Sequence, residues 1–277
     1  MTIREALREG ARFLESRGVP DPLTDAGWLL AEALELPRLS LALNSSDIAQ
    51  DASRRYFAMI DRRASREPLQ HIIGYVEFAG ARLKSDARAL IPRPETECLF
   101  ELCAKFVSGR ENVSILDMCT GSGALAVALA RRFPKARVCA SDASIGALDL
   151  AAENAMLNDV SIELFRGDLF DPFVDTGILF DVIACNPPYI PTSELAGLQP
   201  EVLREPRAAL DGGIDGLDIL RRVSRDSSRF LRSDGALFIE IGYGQSEMVR
   251  AFLAESYGNI IIEPDLSGTP RIIRAQF

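Results

Sequence analysis

The sequence predicts a mostly parallel α/β sheet, preceded by a small helical unit and a hairpin linker. Three observations carry this. Residues 2–68 place apolar side chains at helical spacing, residues 70–91 break into short apolar runs around glycines, and from about residue 95 strand-like and helical patterns alternate to the end. Strand–helix alternation implies right-handed crossovers and therefore parallel neighbours. The 277 residues suffice for one large domain or two smaller ones. The expected division is a helical domain over 1–68, a β-hairpin linker over 69–94 and an α/β domain over 95–277.

The elements follow in order. Ala6, Leu7, Ala11, Phe13 and Leu14 share one face of a first helix, and Thr2 with Glu5 reads as a capping box. Pro20 and Pro22 are expected to end it. A second helix spans 25–36, with Ala26, Leu29, Leu30, Ala33 and Leu34 on one face and Pro37 as its stop. Trp28 is expected in the core of this unit. A third helix spans 51–67. Its Arg54, Arg55, Arg62, Arg63 and Arg66 read as a solvated face, with contact to an acidic protein as the alternative. Ile72, Ile73, Tyr75, Val76, Phe78 and Leu83 among Gly74 and Gly80 suggest the hairpin. His71, the only histidine, cannot build a metal cluster and reads as a hydrogen-bonded linker residue. Beyond it, strands are expected at 113–116, 137–140, 161–165, 179–184, 236–241, 259–262 and 271–275. Helices are expected at 123–133, 145–157, 214–231 and 247–254.

Composition excludes several classes. The chain is 47% hydrophobic and 26% charged, as in globular soluble proteins. A net charge of −9 opposes broad nucleic-acid contact, which needs a positive footprint. Five cysteines, Cys98, Cys103, Cys119, Cys139 and Cys185, form no CxxC pair; the odd count fits a reducing cytoplasm better than a disulfide framework. The first 17 residues mix Arg and Glu without the apolar core of a signal peptide. No apolar run approaches the about 20 residues that span a bilayer.

The chemistry concentrates at strand ends. Asn186-Pro187-Pro188-Tyr189 follows the apolar run at 180–185. The prolines fix their φ angles and carry no N–H, and the first holds Asn186 extended. The result is a stiff elbow at the C-terminal edge of a strand, where open α/β sheets bind ligands. It offers the Asn186 side-chain oxygen and main-chain carbonyls to a planar amino group, with the Tyr189 ring beside them. Earlier, Asp117, Cys119, Thr120, Gly121, Ser122 and Gly123 join the first strand of the α/β domain to its helix. The glycines permit a sharp turn and close approach. An acid before the loop is a poor neighbour for a pyrophosphate and a good one for a cationic sulfonium amino acid. Asp142 ends the second strand, where a carboxylate accepts both ribose hydroxyls of an adenosine. Asp168 follows the third and suits the adenine amino group, with Leu169 or Phe170 on the ring. With Asn186 after the fourth, these positions compose a site for S-adenosylmethionine. Separate helix caps would explain one such acid more easily than the whole ordered set.

These residues resemble the HemK-type glutamine N5-methyltransferases that modify peptide chain release factors, and the resemblance covers nearly the whole chain. It is carried by Pro68 to Gly74, the Ile91-Pro92-Arg93-Pro94-Glu95-Thr96-Glu97 segment, Asn186 to Ile190, Glu205 to Leu210, Asp215-Gly216-Leu217 and Gly268 to Arg271. Two positions depart from the family pattern. Cys119 stands where glycine is usual, as in sister enzymes that methylate a glutamine of a large-subunit ribosomal protein, and Leu169 replaces a common aromatic. The resemblance implies a class I Rossmann-like S-adenosylmethionine methyltransferase domain with an antiparallel C-terminal strand, behind a helical domain that docks the substrate. It implies methyl transfer to the side-chain amide nitrogen of the glutamine in the Gly-Gly-Gln motif of a release factor, leaving S-adenosylhomocysteine. Asn186 and the Pro187 carbonyl would hold the amide, Pro188 and Tyr189 would flank the glutamine chain, and Arg93, Glu205 and Arg207 would shape the substrate mouth or anchor a loop. A cytoplasmic monomer without nucleic-acid or membrane partners is expected. The rivals are the ribosomal-protein enzyme, a nucleic-acid amino methyltransferase, which would want a basic surface, and a non-enzymatic binding module, which would want a damaged Asn-Pro-Pro-Tyr.

Overall fold

The computed structural model describes residues 1–42 and 46–277. Contacts divide the chain into two units, one of residues 1–74 with 199–204 and one of residues 75–198 with 205–277.

The first unit is helical: α1 (Ile3–Ser16), α2 (Pro22–Leu34), α3 (Gln50–Ala64) and the one-turn α4 (Leu69–Ile73). The capping box forms as expected. Thr2 Oγ1 accepts the Glu5 N–H at 3.2 Å and Glu5 Oε2 accepts the Thr2 N–H at 2.8 Å. Leu14, Leu29, Leu30, Tyr56 and Ile60 fill its core. Three expectations change. Pro22 opens α2 at its first turn instead of closing α1, because a missing N–H costs nothing there. Trp28 is 42% exposed, with the Arg38 guanidinium 5.1 Å over its ring, because Leu29, Leu30 and Ala33 already fill the buried face of α2. Arg63 leaves the solvated set. It is 5% exposed and donates from Nε to Asp25 at 2.7 Å and from Nη1 to Glu201 at 2.7 Å. Arg66 reaches the same Glu201 at 2.6 Å.

The second unit opens with a hairpin of β1 (Tyr75–Phe78) and β2 (Ala81–Lys84), which is shorter than expected because residues 70–73 are helical and 85–93 irregular. Then come α5 (Pro94–Val107), β3 (Ser114–Met118), α6 (Ala124–Arg132), β4 (Arg137–Asp142), α7 (Ile145–Leu157), β5 (Glu163–Arg166) and β6 (Phe180–Cys185). After them follow α8 (Asp218–Asp226), β7 (Leu231–Glu240), α9 (Ser246–Leu253), β8 (Asn259–Pro264) and β9 (Pro270–Gln276). The helix expected over 214–231 is confined to α8 and a following turn of 3-10 helix. Gly213 and Gly216, both at positive φ, hold the residues before α8 in a loop.

β3 to β9 form one sheet in the order β5-β4-β3-β6-β7-β9-β8. Neighbours are parallel except where β9 runs against both β7 and β8. β3 and β6 are buried along their whole length, as central parallel strands covered on both faces must be. Ile115, Val182 and Phe238 face one apolar layer with α5 and α6; Leu116, Ile183 and Ile239 face the other with α8 and α9. Each such aromatic or aliphatic side chain stabilises the fold by about 1.5–3 kcal/mol on burial. The chain goes outward from β3 to β4 and β5, then returns to β6 on the other side of β3. The strand order therefore reverses between β3 and β6, and a ligand crevice opens at their C-terminal ends.

Candidate functional site

A cleft of about 250 Å³ occupies that crevice. Its walls include Asp117 at the end of β3, Cys119, Thr120, Gly121 and Ser122 in the loop that follows, Ser141 and Asp142 at the end of β4, and Asp168 and Leu169 after β5. Asn186 and Pro188 after β6, and Arg88, Pro92, Arg93 and Thr96 around the start of α5, complete it. Most residues singled out from the sequence thus meet at one place. Gly123, Phe170, Pro187, Tyr189, Glu205 and Arg207 are outside its lining. Gly123 opens α6 at φ 78°, and a Cβ there would lie 2.8 Å from the Cβ of Ala151, so its glycine serves helix packing.

The loop after β3 is built around carboxylates. Asp117, 3% exposed, accepts on Oδ2 both the Thr120 hydroxyl at 2.6 Å and the Ala126 N–H at 3.0 Å. Burial nevertheless pushes its carboxyl up to about 7. Asp142 accepts the Gly121 N–H at 3.0 Å and the Ser144 N–H at 2.9 Å, which fixes both oxygens at the cleft edge. Cys119 holds a left-handed conformation, φ 58°, where glycine is ordinarily favoured. Asp168 accepts from Arg222 Nη2 at 2.7 Å. Leu169 lines the cleft, whereas Phe170 is turned away and stacks on Phe230 at 4.6 Å. Of the two residues the sequence offers, Leu169 is therefore the one that faces the cleft.

Asn186 is oriented from behind. Its Nδ2 donates to Thr96 Oγ1 at 3.0 Å, and that hydroxyl donates to Glu240 Oε2 at 2.9 Å. Glu240 is 1% exposed at the end of β7; burial pushes its carboxyl up to about 7, opposed by Thr96 and Arg271. Tyr189 packs against the core, and burial followed by the charge of Glu240 pushes its hydroxyl up to about 12. The Tyr189 carbonyl accepts from Gln245 Nε2 at 2.9 Å. Glu205 accepts the Ile91 N–H at 2.8 Å and the Arg93 guanidinium at 2.5 Å, so it anchors the loop that leads into α5. Arg207 pairs with Asp211 at 2.9 Å.

Thr96, Ser141 and Glu240 were missed at the sequence level. An acid closing the apolar run of β7 is the one available signal for Glu240; Thr96 stands only within the 91–97 segment that carries the family resemblance, and Ser141 carries none of its own.

The donor set suits a polar cation. Among the described residues, Ser141 Oγ, buried in a cleft-lining residue, has no hydrogen-bond partner, and the Asp117 carboxylate has no compensating charge. Both costs fall when a ligand brings a donor and a positive charge.

Comparison with known proteins agrees in family. The sequence family described as the PrmC N-terminal domain matches residues 5–74, and that described as the methyltransferase small domain matches residues 99–213. A release factor glutamine methyltransferase of Deinococcus radiodurans is 40% identical over 277 residues, covering 100% of this chain and 99% of the relative. One of Moorella thermoacetica is 41% identical over 281 residues, covering 99% and 98%. Among solved structures, the 16S rRNA N2 G1207 methyltransferase of T. thermophilus, in complex with AdoMet and guanosine, aligns with a TM-score of 0.53 at 18% identity, over 73% of this chain and 49% of that one. A methyltransferase of Pyrococcus furiosus aligns at 0.51 and 15% identity, over 71% and 88%; both likenesses are of fold. With full-length relatives at this identity, the chain belongs to the release factor glutamine methyltransferase family and is a methyltransferase enzyme.

Proposed function

We propose that this enzyme transfers the methyl group of S-adenosylmethionine to the side-chain amide nitrogen of the glutamine in the Gly-Gly-Gln motif of a peptide chain release factor. The single observation that carries the reading is that Asn186 shares one cleft with Asp117, Asp142 and Asp168. Full-length relatives bearing that activity in their names support the choice of substrate.

The cofactor, when bound, supplies an electrophilic methyl on a sulfonium. Asp117 and Ser141 would hold its cationic amino-acid end, Asp142 the ribose hydroxyls, and Asp168 with Leu169 the adenine. Cys119 to Ser122 form the loop over which it lies. The nucleophile is a poor one, because the amide nitrogen shares its lone pair with the carbonyl. The Asn186 side-chain oxygen and the Pro187 carbonyl accept its two N–H groups and aim the nitrogen at the cofactor side of the cleft. Such alignment can remove several kcal/mol from a barrier. The same two oxygens stabilise positive charge as it grows on nitrogen, an effect typically worth about 10²–10³ in rate. The released proton goes to water, since an N-alkylated amide cation is strongly acidic. Pro188 and Tyr189 flank the apolar methylenes of the glutamine, and Arg93 with Glu205 keeps the neighbouring loop in shape. Glycines before the target glutamine let the substrate backbone approach closely.

The test is methyl transfer from labelled S-adenosylmethionine to purified release factor, beside the same factor with its motif glutamine changed to alanine. Label in the first and none in the second is the expected result. Label in neither, with intact cofactor binding, would move the assignment to the ribosomal protein.

A further inference from the structure

Asn186, Thr96 and Glu240 come from three different elements and meet in a single hydrogen-bonded line. Thr96 has one hydroxyl proton, and it goes to Glu240 Oε2 at 2.9 Å. Its oxygen can then only accept, so the amide branch of Asn186 that meets it at 3.0 Å must be the NH2 group. The opposite branch, Oδ1, is turned elsewhere, and Asn186 lines the cleft. An asparagine amide is nearly symmetric in shape. Nothing steric would stop it presenting NH2 instead, and an NH2 group cannot accept from a substrate amide.

We propose that Thr96 and Glu240 are positioning residues that set the polarity of the Asn186 amide, keeping its oxygen toward the substrate. The inference rests on the reading above, in which Asn186 Oδ1 accepts from the target glutamine. It also makes turnover depend on the charge of Glu240. An ionised carboxylate receives the Thr96 proton and the line runs from Asn186 to Thr96 to Glu240. A protonated carboxyl can donate to Thr96, which frees the hydroxyl proton for Asn186 and rewards an amide turned the wrong way. The groups facing Glu240 are Thr96 and Glu95 from α5, Tyr189 after β6 and Arg271 from β9. Burial dominates over the opposing help of Thr96 and Arg271 and pushes the carboxyl up to about 7.

The experiment measures kcat, substrate KM and the pH profile from about pH 6 to about pH 9 for wild type, T96V, T96S, E240Q and N186A. S-adenosylhomocysteine affinity is measured for each by calorimetry. T96V should lower kcat by about 10-fold or more while cofactor affinity stays within about threefold, and T96S should recover most of the loss. At saturating cofactor the wild-type kcat should show an acidic limb near neutrality, and E240Q, which keeps an acceptor for Thr96 but cannot titrate, should lose it. The inference is overturned if T96V turns over within about twofold of wild type while N186A falls by about 10² or more. It is equally overturned if T96V loses cofactor affinity together with rate, or if E240Q keeps the acidic limb. An active N186A would bring down the acceptor assignment itself, and this inference with it.

Discussion

Glu205 grips Arg93 at 2.5 Å from a side chain that is itself 1% exposed, and its second oxygen takes the Ile91 N–H at 2.8 Å. The pair closes the loop that runs from the β1–β2 hairpin into α5, along one wall of the cleft. Glu205→Ala would leave a buried main-chain donor unpaired and release Arg93 toward solvent. The expected cost is about 2–4 kcal/mol in urea unfolding, with KM for the cofactor raised. Glu205→Gln should recover most of the stability, because it still accepts from Ile91.

Asn186→Ala separates binding from chemistry. Turnover should fall by about 10²–10³, while calorimetry with S-adenosylhomocysteine finds affinity within a few-fold of wild type. Both quantities falling together would make Asn186 part of the cofactor wall and not the acceptor.

Cofactor affinity should depend on pH through Asp117. Burial pushes its carboxyl up to about 7, so the apo site is largely neutral below that value and charged above it. A cation prefers the charged form. Affinity for S-adenosylmethionine should therefore rise as pH increases through 7 and level off above it, and Asp117→Asn should flatten that rise. Stability of the apo protein moves the other way. The folded value lies above the ordinary carboxylate range, so the contribution of Asp117 is present at low pH and is lost as pH climbs toward 7; Glu240 acts in the same direction. Glu201, held down at about 2 by Arg66 and Arg63 against its burial, contributes in the opposite sense and loses its part only as pH falls below the usual carboxylate range. Thermal melts across pH should show both limbs, and saturating cofactor should remove the share of the upper one that belongs to Asp117.

Cys119 offers a local test of backbone strain. At φ 58° a side chain costs about 1–2 kcal/mol relative to glycine. Cys119→Gly should therefore be more stable than Cys119→Ala by about 1 kcal/mol, the reverse of the order at a helical position. Equal stabilities would mean that the loop relaxes around a Cβ.

What the sequence revealed about the site follows from how the fold places it. Asp117, Asp142, Asp168 and Asn186 each stand at or just beyond the end of an apolar run, and a parallel sheet brings consecutive strand ends to one edge. Their convergence could be argued without coordinates. The supporting contacts could not. Thr96 lies 90 residues from Asn186 and 144 from Glu240, and no local pattern links them. By sequence Phe170 and Leu169 are equally suited to face the cleft, and only the stacking of Phe170 on Phe230 separates them. In the helical unit, periodicity located every long helix but not its first turn, because proline both stops and starts helices, as Pro22 shows. The arginines of α3 read as one solvated stripe because sequence carries no trace of Asp25 and Glu201 lying against Arg63.

The most direct measurement is a crystal structure of the enzyme with S-adenosylhomocysteine and a release-factor fragment carrying the Gly-Gly-Gln loop. The target amide nitrogen should lie about 3 Å from both Asn186 Oδ1 and the Pro187 carbonyl oxygen, with the ribose on Asp142. A glutamine bound elsewhere, or an Asn186 that turns its NH2 group to the substrate, would contradict the acceptor assignment.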